Sequence, residues 1–144
     1  MSKKKKRTIY AAGAFFVIVG FLLLWALYPR NLTSLVGLNI PISRCYVLVE
    51  GMPPEPSVDL TEDDLQHLLE LFRSTSVQLC GRNDTISSSI DEILYRLYFS
   101  TDTKQFDVLI ISENHHVYFN GNEYKILGEN KANIVSLLRK SVHV

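Results

Sequence analysis

The sequence has few of the residue patterns that catalytic and metal sites need. Its 144 residues include two cysteines and four histidines, with no H-x-H, HExxH or Cys-x-x-Cys spacing to hold a metal ion. No G-x-S-x-G elbow presents a serine nucleophile. The seven glycines are scattered, so no glycine-rich phosphate loop is present. We therefore expect a non-enzymatic protein with no catalytic residue, no metal site and no cofactor.

The sequence also lacks a net charge, because fifteen basic residues balance fifteen acidic ones. This balance conceals an uneven distribution. Five basic residues lie within residues 3–7, which leaves ten Lys and Arg against fifteen Asp and Glu in residues 29–144. A region with this acidic excess is repelled by nucleic-acid phosphates, so we expect no nucleic-acid partner.

Only one long apolar run is present, at residues 9–28, directly after the basic cluster. As a helix it would measure about 30 Å, the thickness of a bilayer's hydrocarbon core. Only Arg30 follows closely on the other side, so the positive-inside rule predicts a cytoplasmic basic tail at residues 1–8. We expect a single-pass protein of the cell membrane whose residues 9–28 contact lipid and whose C-terminal part is extracytoplasmic. The basic tail would add attraction to anionic lipids.

A cleaved secretory signal is the alternative interpretation of this N-terminus. The apolar run is longer than a typical signal core, and no small-residue cleavage site follows it. The residues after Trp25 read Ala-Leu-Tyr-Pro-Arg, which are too bulky for a signal peptidase. These features favour an uncleaved membrane anchor.

The remaining residues are enough for one compact domain. Residues 29–43 are predicted to form a juxtamembrane spacer, partly embedded in the membrane interface through Leu32, Leu35, Val36 and Leu38. Residues 44–144 are predicted to form an extracytoplasmic α+β domain. Its predicted elements are a strand at 44–50, a helix capped by Thr61, a strand at 76–80, a polar loop at 81–89, strands at 93–100, 106–111, 116–119 and 123–127, and a helix at 131–140 that starts at Asn130.

The last four strands are predicted to form an antiparallel meander with helices packed on one face. Asn120-Gly121 is the strongest hairpin signal in the chain. We predict that Phe99 pairs with Phe106, and that Val117 pairs with both Ile110 and Tyr124. This register places eleven apolar or aromatic residues on one face: Ile93, Tyr95, Leu97, Phe99, Phe106, Val108, Ile110, Val117, Phe119, Tyr124 and Ile126.

The opposite face of the predicted meander is the candidate interaction surface. Its proposed contact residues are Arg96, Tyr98, Leu109, Ile111, His116 and Tyr118. Exposed tyrosine and arginine beside apolar side chains are typical of protein interfaces. Three other interpretations stay open, namely an ordinary solvent-facing sheet, a face covered by the spacer, and a face covered by the first strand and its proline-rich loop.

The two cysteines, Cys45 and Cys80, both follow the apolar run and would lie where disulfides persist. A bridge between them would close a loop of about 35 residues and stabilise the fold by about 3–4 kcal/mol. Two buried free thiols on neighbouring strands are the alternative, and the sequence does not separate the two cases.

The overall plan resembles the small single-pass, membrane-anchored extracytoplasmic domains of unknown function that are common in Gram-positive bacteria. The lysine-rich start before a lone apolar helix, the hairpin at 116–127 and the closing amphipathic helix carry this resemblance, which supplies no functional residue.

We predict a binding or accessory module for a protein or envelope partner of unknown identity. The alternatives are a small envelope enzyme or metal-dependent sensor that uses His115, His116 or a Cys–His pair, and an assembly subunit recognised through its transmembrane helix.

Overall fold

A computed structural model describes residues 2–51, 55–82 and 92–142 of the chain. Of the polar loop predicted at 81–89, residues 81–82 instead belong to a strand and residues 83–89 lie outside the described residues. The described residues form an apolar N-terminal helix, one eight-stranded antiparallel sheet and three further helices, which is an α+β fold. The helices are α1 (Lys3–Leu27), α2 (Leu32–Val36), α3 (Glu62–Arg73) and α4 (Asn130–Ser141). The strands are β1 (Arg30–Asn31), β2 (Arg44–Glu50), β3 (Ser57–Asp59), β4 (Ser76–Arg82), β5 (Leu94–Ser100), β6 (Leu109–Ser112), β7 (His116–Phe119) and β8 (Asn122–Leu127).

Helix α1 is long and apolar enough to cross a membrane, judged by its length and composition. It contains residues 9–27 of the predicted apolar run and also most of the basic tail. None of its side chains is buried. These properties make α1 a candidate membrane anchor.

The strands lie in the order β1-β4-β8-β7-β6-β5-β2-β3. The predicted meander is confirmed, and its four strands, β5 to β8, form the central part of the sheet. At the hairpin between β7 and β8, Asn120 and Gly121 both have positive φ angles, 50° and 76°, as a type I′ turn requires. Strands β2 and β4 extend the meander on its two sides, and the sequence analysis missed the short strands β1 and β3.

The predicted spacer at residues 29–43 is wrong, because these residues belong to the folded domain. Strand β1 pairs with β4. The side chains of Leu32, Val36 and Leu38 are at most 6% exposed and join the hydrophobic core. These apolar residues are buried against protein, so they do not lie in the membrane interface.

The predicted register is confirmed in one hairpin and wrong in another. Val117 pairs with Tyr124 as predicted, but it pairs with Ile111 instead of Ile110. The backbone N–H of Phe106 donates to the carbonyl of Phe99 at 3.0 Å, which agrees with the predicted Phe99–Phe106 pairing. An irregular stretch at residues 106–108 then shifts the following residues by one position.

Helices α3 and α4 bury their apolar stripes in the same cluster as the sheet. The Thr61 hydroxyl accepts a hydrogen bond from the backbone N–H of Asp64 at 3.2 Å, which confirms the predicted cap of α3. Helix α3 contributes four buried residues and α4 contributes another four: Leu65, Leu68, Leu69, Phe72, Ile134, Val135, Leu137 and Leu138. We call this helix-covered side of the sheet the core face and the opposite side the open face.

Candidate binding groove

The open face carries the side chains that alternate with the core residues of each strand. In β2, Val47 is buried while its neighbours Tyr46 and Leu48 point to the open face. In β5, Leu97 is buried while Arg96 and Tyr98 point the same way as Tyr46. The direct pairing of β2 with β5 therefore brings two tyrosines together.

Tyr46 and Tyr98 form the floor of a groove at one corner of the open face. Their ring centroids lie 6.0 Å apart with the ring planes tilted by 51°. The groove encloses about 680 Å³, a volume in the range of ligand-binding clefts. We call it the Tyr46–Tyr98 groove; its lining residues are Arg44, Tyr46, Leu48, Tyr98, Ser100, Thr101, Thr103, Lys104 and Gln105.

Two cationic side chains line the groove. The Arg44 guanidinium donates hydrogen bonds to both carboxylate oxygens of Asp59, at 2.5 and 2.8 Å. This hydrogen bonding raises the pKa of Arg44 and lowers the pKa of Asp59. Lys104 places its ammonium 4.6 Å from the ring centre of Phe106 and has no ion-pair partner among the described residues. Lys104 is thus the charge that the fold leaves available to a ligand.

A tight turn after β5 forms one wall of the groove. The Thr101 hydroxyl accepts hydrogen bonds from the backbone N–H groups of Lys104 and Thr103, at 3.0 and 3.3 Å. These bonds fix the turn and hold the following residues against the groove. Thr103, Lys104 and Gln105 are all exposed there.

The structure does not bring the six predicted contact residues together on one surface. Tyr98 lines the groove. Arg96 lies two residues before Tyr98 on β5, outside the lining of the groove, and forms a salt bridge with Glu50. His116 lies in β7, two strand positions from β5 and three from β2, where its Nδ1 is 2.7 Å from a carboxylate oxygen of Glu123.

Tyr118 lies on the open face, as predicted, but only 8% of its surface is exposed. It joins Leu94 and Ile110 in a small second cluster of buried apolar residues. Burial, assisted by the nearby carboxylates of Glu123 and Glu92, raises the pKa of Tyr118 to about 12. Tyr118 is therefore a packing residue of this second cluster.

The prediction that Leu109 and Ile111 lie on the interaction surface is wrong. Both side chains are fully buried in the main core. The one-residue shift before β6 exchanges the two sides of the strand, so Ile110 points to the open face instead.

The two cysteines are free, and the predicted possible disulfide is wrong. Cys45 lies in β2 and Cys80 in β4, five strand positions apart, or about 24 Å. A disulfide requires Cα atoms within about 7 Å. Of the alternative, two buried free thiols on neighbouring strands, the free thiols are confirmed, but β2 and β4 are not neighbours and only Cys45 is buried. Burial raises the pKa of the Cys45 thiol, whereas Cys80 is exposed.

Within residues 2–51, 55–82 and 92–142, no group of three or more His, Cys, Asp and Glu side chains is arranged to hold a metal ion. His115 occupies the turn between β6 and β7 with φ 65°, and His116 begins β7. The described residues thus give the metal-sensor alternative no ligand set.

The sequence analysis missed Arg44, Tyr46, Leu48 and Lys104 as groove residues. The apolar run Cys-Tyr-Val-Leu-Val within residues 44–50 is typical of a buried strand, although polar Arg44 and Glu50 share the parity of Tyr46 and Leu48. That alternation is the signal that identifies the open side of β2. The contribution of Lys104 depends on the turn after β5 and has no comparable signal.

Comparison with protein-family models, curated proteins and solved structures finds no match to this chain. The resemblance to membrane-anchored extracytoplasmic domains therefore stays a prediction, and the function has to be inferred from the geometry.

Proposed function

We propose that the protein is a non-catalytic, membrane-anchored binding module that holds a segment of a partner protein in the Tyr46–Tyr98 groove. In this proposal α1 spans the cell membrane, the basic tail is cytoplasmic and the folded domain is extracytoplasmic. The five basic residues before the apolar run support this orientation.

The composition of the groove is the observation that carries the proposal. Tyrosine and arginine are enriched at protein interfaces because each combines a large apolar contact area with hydrogen-bonding groups. The groove combines Tyr46, Tyr98 and Leu48 with the cationic groups of Arg44 and Lys104. The unpaired Lys104 ammonium favours a partner segment that carries a carboxylate.

The position of the groove relative to the anchor supports the same function. Gln78, on the open face of β4, donates a hydrogen bond to the carbonyl of Leu27 at the end of α1, at 2.9 Å. Strand β2 lies five strand positions from β4, or about 24 Å across the sheet. The groove is thus remote from the anchored edge. Tethering raises the effective concentration of the module for partners at the same membrane.

Site-specific photocrosslinking tests the proposal with the full chain in its native membrane. A photoreactive residue at the exposed groove position Gln105 should capture one discrete partner. The groove variants are Tyr98→Ala and Lys104→Glu. Lys131→Glu is the matched control, because Lys131 is also an exposed lysine but lies at the start of α4. We expect capture to persist in the control and to be lost in both groove variants.

Equal capture by all variants would contradict the proposal. Capture that persists in the groove variants but disappears when residues 9–24 are replaced by a generic apolar helix would favour the assembly subunit recognised through its transmembrane helix. An activity lost on addition of a chelator would favour the metal-dependent sensor.

A further inference from the structure

A second groove lies between helix α3 and the segment that follows α2. It encloses about 440 Å³, and we call it the α2–α3 groove. Its lining residues are Asn31, Thr33, Leu38, Asn39, Ile40, Pro41, Ile42, Gln66, Leu69 and Arg73. The chain enters this region shortly after α1, since only the four residues 28–31, which include the short strand β1, separate α1 from α2.

Arg73 is the only charged residue of this lining. Its guanidinium makes no salt bridge among the described residues. The Asn31 side-chain amide donates a hydrogen bond to the backbone carbonyl of Arg73 at 2.7 Å, which fixes the end of α3 beside α2. Asn39 and Gln66 add amide groups to the same groove. In a domain with an acidic excess, this groove is a local cationic and hydrogen-bonding site, which suits a phosphate group.

The Thr33 hydroxyl is a second, independent indication of a ligand. Thr33 lines the groove and is only 4% exposed. Its oxygen has no hydrogen-bond partner within the part of the chain that the structure describes. Buried hydroxyl groups are almost always hydrogen-bonded in folded proteins, so the Thr33 oxygen has a free hydrogen-bonding capacity that a water molecule or a polar ligand atom in the groove would satisfy.

Ile40, on the rim of this groove, supplies an apolar contact. Among the described residues after Tyr28, which directly follows α1, it is the only exposed large apolar side chain, at 46%. The adjacent Pro41 is also exposed. A single exposed isoleucine is unremarkable by itself. Here Ile40 lies thirteen residues after the end of α1 and lines the same groove as the unpaired Arg73. A phospholipid carries both a phosphate, which suits the arginine, and acyl chains, which suit the isoleucine.

We infer that the α2–α3 groove binds the phosphate of a phospholipid headgroup in the leaflet where α1 ends. Arg73 contacts the phosphate, and Ile40 and Pro41 enter the membrane interface. The domain is then held to the bilayer at a second point besides α1. This inference requires α1 to lie in the membrane, but it does not depend on a ligand in the Tyr46–Tyr98 groove.

Tryptophan quenching in vesicles tests the inference with the full chain. Trp25 is the only tryptophan of the chain, so Trp25→Phe gives a silent background. In this background Ile40→Trp is reconstituted into phosphatidylcholine vesicles with and without brominated acyl chains. Gln105→Trp, at the exposed turn beside β5, is the matched control. We expect brominated lipid to quench most of the fluorescence of Ile40→Trp and none of that of Gln105→Trp.

The role of the phosphate is tested by adding Arg73→Gln to the Ile40→Trp protein, with Lys131→Gln as the matched loss of a positive charge. Quenching should fall with Arg73→Gln and stay unchanged with Lys131→Gln, while circular dichroism verifies that both variants are folded. Equal quenching at positions 40 and 105, or none at position 40, would overturn the inference. If Arg73→Gln leaves the quenching at position 40 unchanged, the contact between Arg73 and the phosphate would be overturned.

Discussion

The two faces of the sheet bury apolar side chains to very different extents. The core-face cluster contains 27 buried residues and includes side chains from α2, α3 and α4. The open-face cluster contains three, Leu94, Ile110 and Tyr118. Burial of apolar surface is the main favourable contribution to folding, so the core face determines the stability of the domain. The open face is left to carry the charged pairs and the Tyr46–Tyr98 groove.

The exposure of side chains also varies from one corner of the open face to another. At the β7–β6 side of the open face Tyr118 is buried, whereas at the β2–β5 side Tyr46 and Tyr98 are partly exposed. A binding surface therefore occupies one corner of the open face, and the rest contributes packing and ion pairs.

Adjacent residues of β6 provide the largest expected contrast between the faces. Leu109→Ala removes a fully buried side chain from the main core and should lower the free energy of unfolding by about 2–5 kcal/mol. Ile110→Ala affects the small open-face cluster, which can relax more easily, and should cost about 2 kcal/mol or less. Urea unfolding of both variants in detergent micelles measures the contrast. A larger loss for Ile110→Ala would support the sequence-predicted register over the observed one.

Alkaline pH should lower the free energy of unfolding, because each face of the sheet contains one buried tyrosine whose pKa is raised. Burial and the hydrogen bond to Glu113 raise the pKa of Tyr95 to about 12, and the pKa of Tyr118 is raised to a similar value. The unfolded chain ionises its tyrosines near pH 10, so these two residues contribute stability below about pH 10 that is lost as the pH rises towards 12.

Chemical unfolding across this pH range measures the loss. Tyr95→Phe and Tyr118→Phe should each flatten the decline in unfolding free energy above pH 10, on the core face and the open face respectively. A decline of unchanged steepness in both variants would contradict the proposed burial of the two phenols.

The two cysteines should differ sharply in reactivity while adding no covalent stability. A maleimide should label Cys80 in the folded protein, because it is exposed, and Cys45 only after unfolding, because burial raises its pKa and blocks access. A reducing agent should leave the melting temperature unchanged. Mass spectrometry of labelled native and unfolded protein counts the modified thiols, and two labels in the native state would disprove the burial of Cys45.

The smallest effect on stability is expected for the exposed ion pair of Arg44 and Asp59. Their side chains are 61% and 49% exposed, so water screens their attraction. Asp59→Asn should therefore change the unfolding free energy less than Ile110→Ala does. A loss larger than that of Ile110→Ala would show that the pair is essential for the attachment of β3.

The local features of the fold could be predicted from the sequence, because each has a local physical cause. Thr61 caps α3 through a neighbouring backbone N–H, and Asn120-Gly121 adopts the positive φ angles that a two-residue hairpin needs. The helical spacing of Leu32, Leu35 and Val36 was an equally local signal for α2. Their proximity to the apolar run led instead to the prediction of a membrane-embedded spacer.

The register of β6 could not be predicted, because the period-two pattern is ambiguous there. Phe106, Val108, Leu109, Ile110 and Ile111 place apolar residues on both parities, so alternation does not distinguish the two faces. The Tyr46–Tyr98 groove was missed for a different reason. It arises from the pairing of β2 with β5, which are about 50 residues apart, and long-range pairing leaves no local signature.

The labelling of Cys80 measures directly on which side of the membrane the folded domain lies. A membrane-impermeant maleimide is applied to intact cells that produce the full chain, and the labelling of Cys80 is compared with that in permeabilised cells. Cys45 serves as the internal control for folding, because it should stay unlabelled in both. An extracytoplasmic binding module predicts equal labelling of Cys80 before and after permeabilisation. Labelling that appears only after permeabilisation would place the Tyr46–Tyr98 groove in the cytoplasm and contradict the proposed orientation.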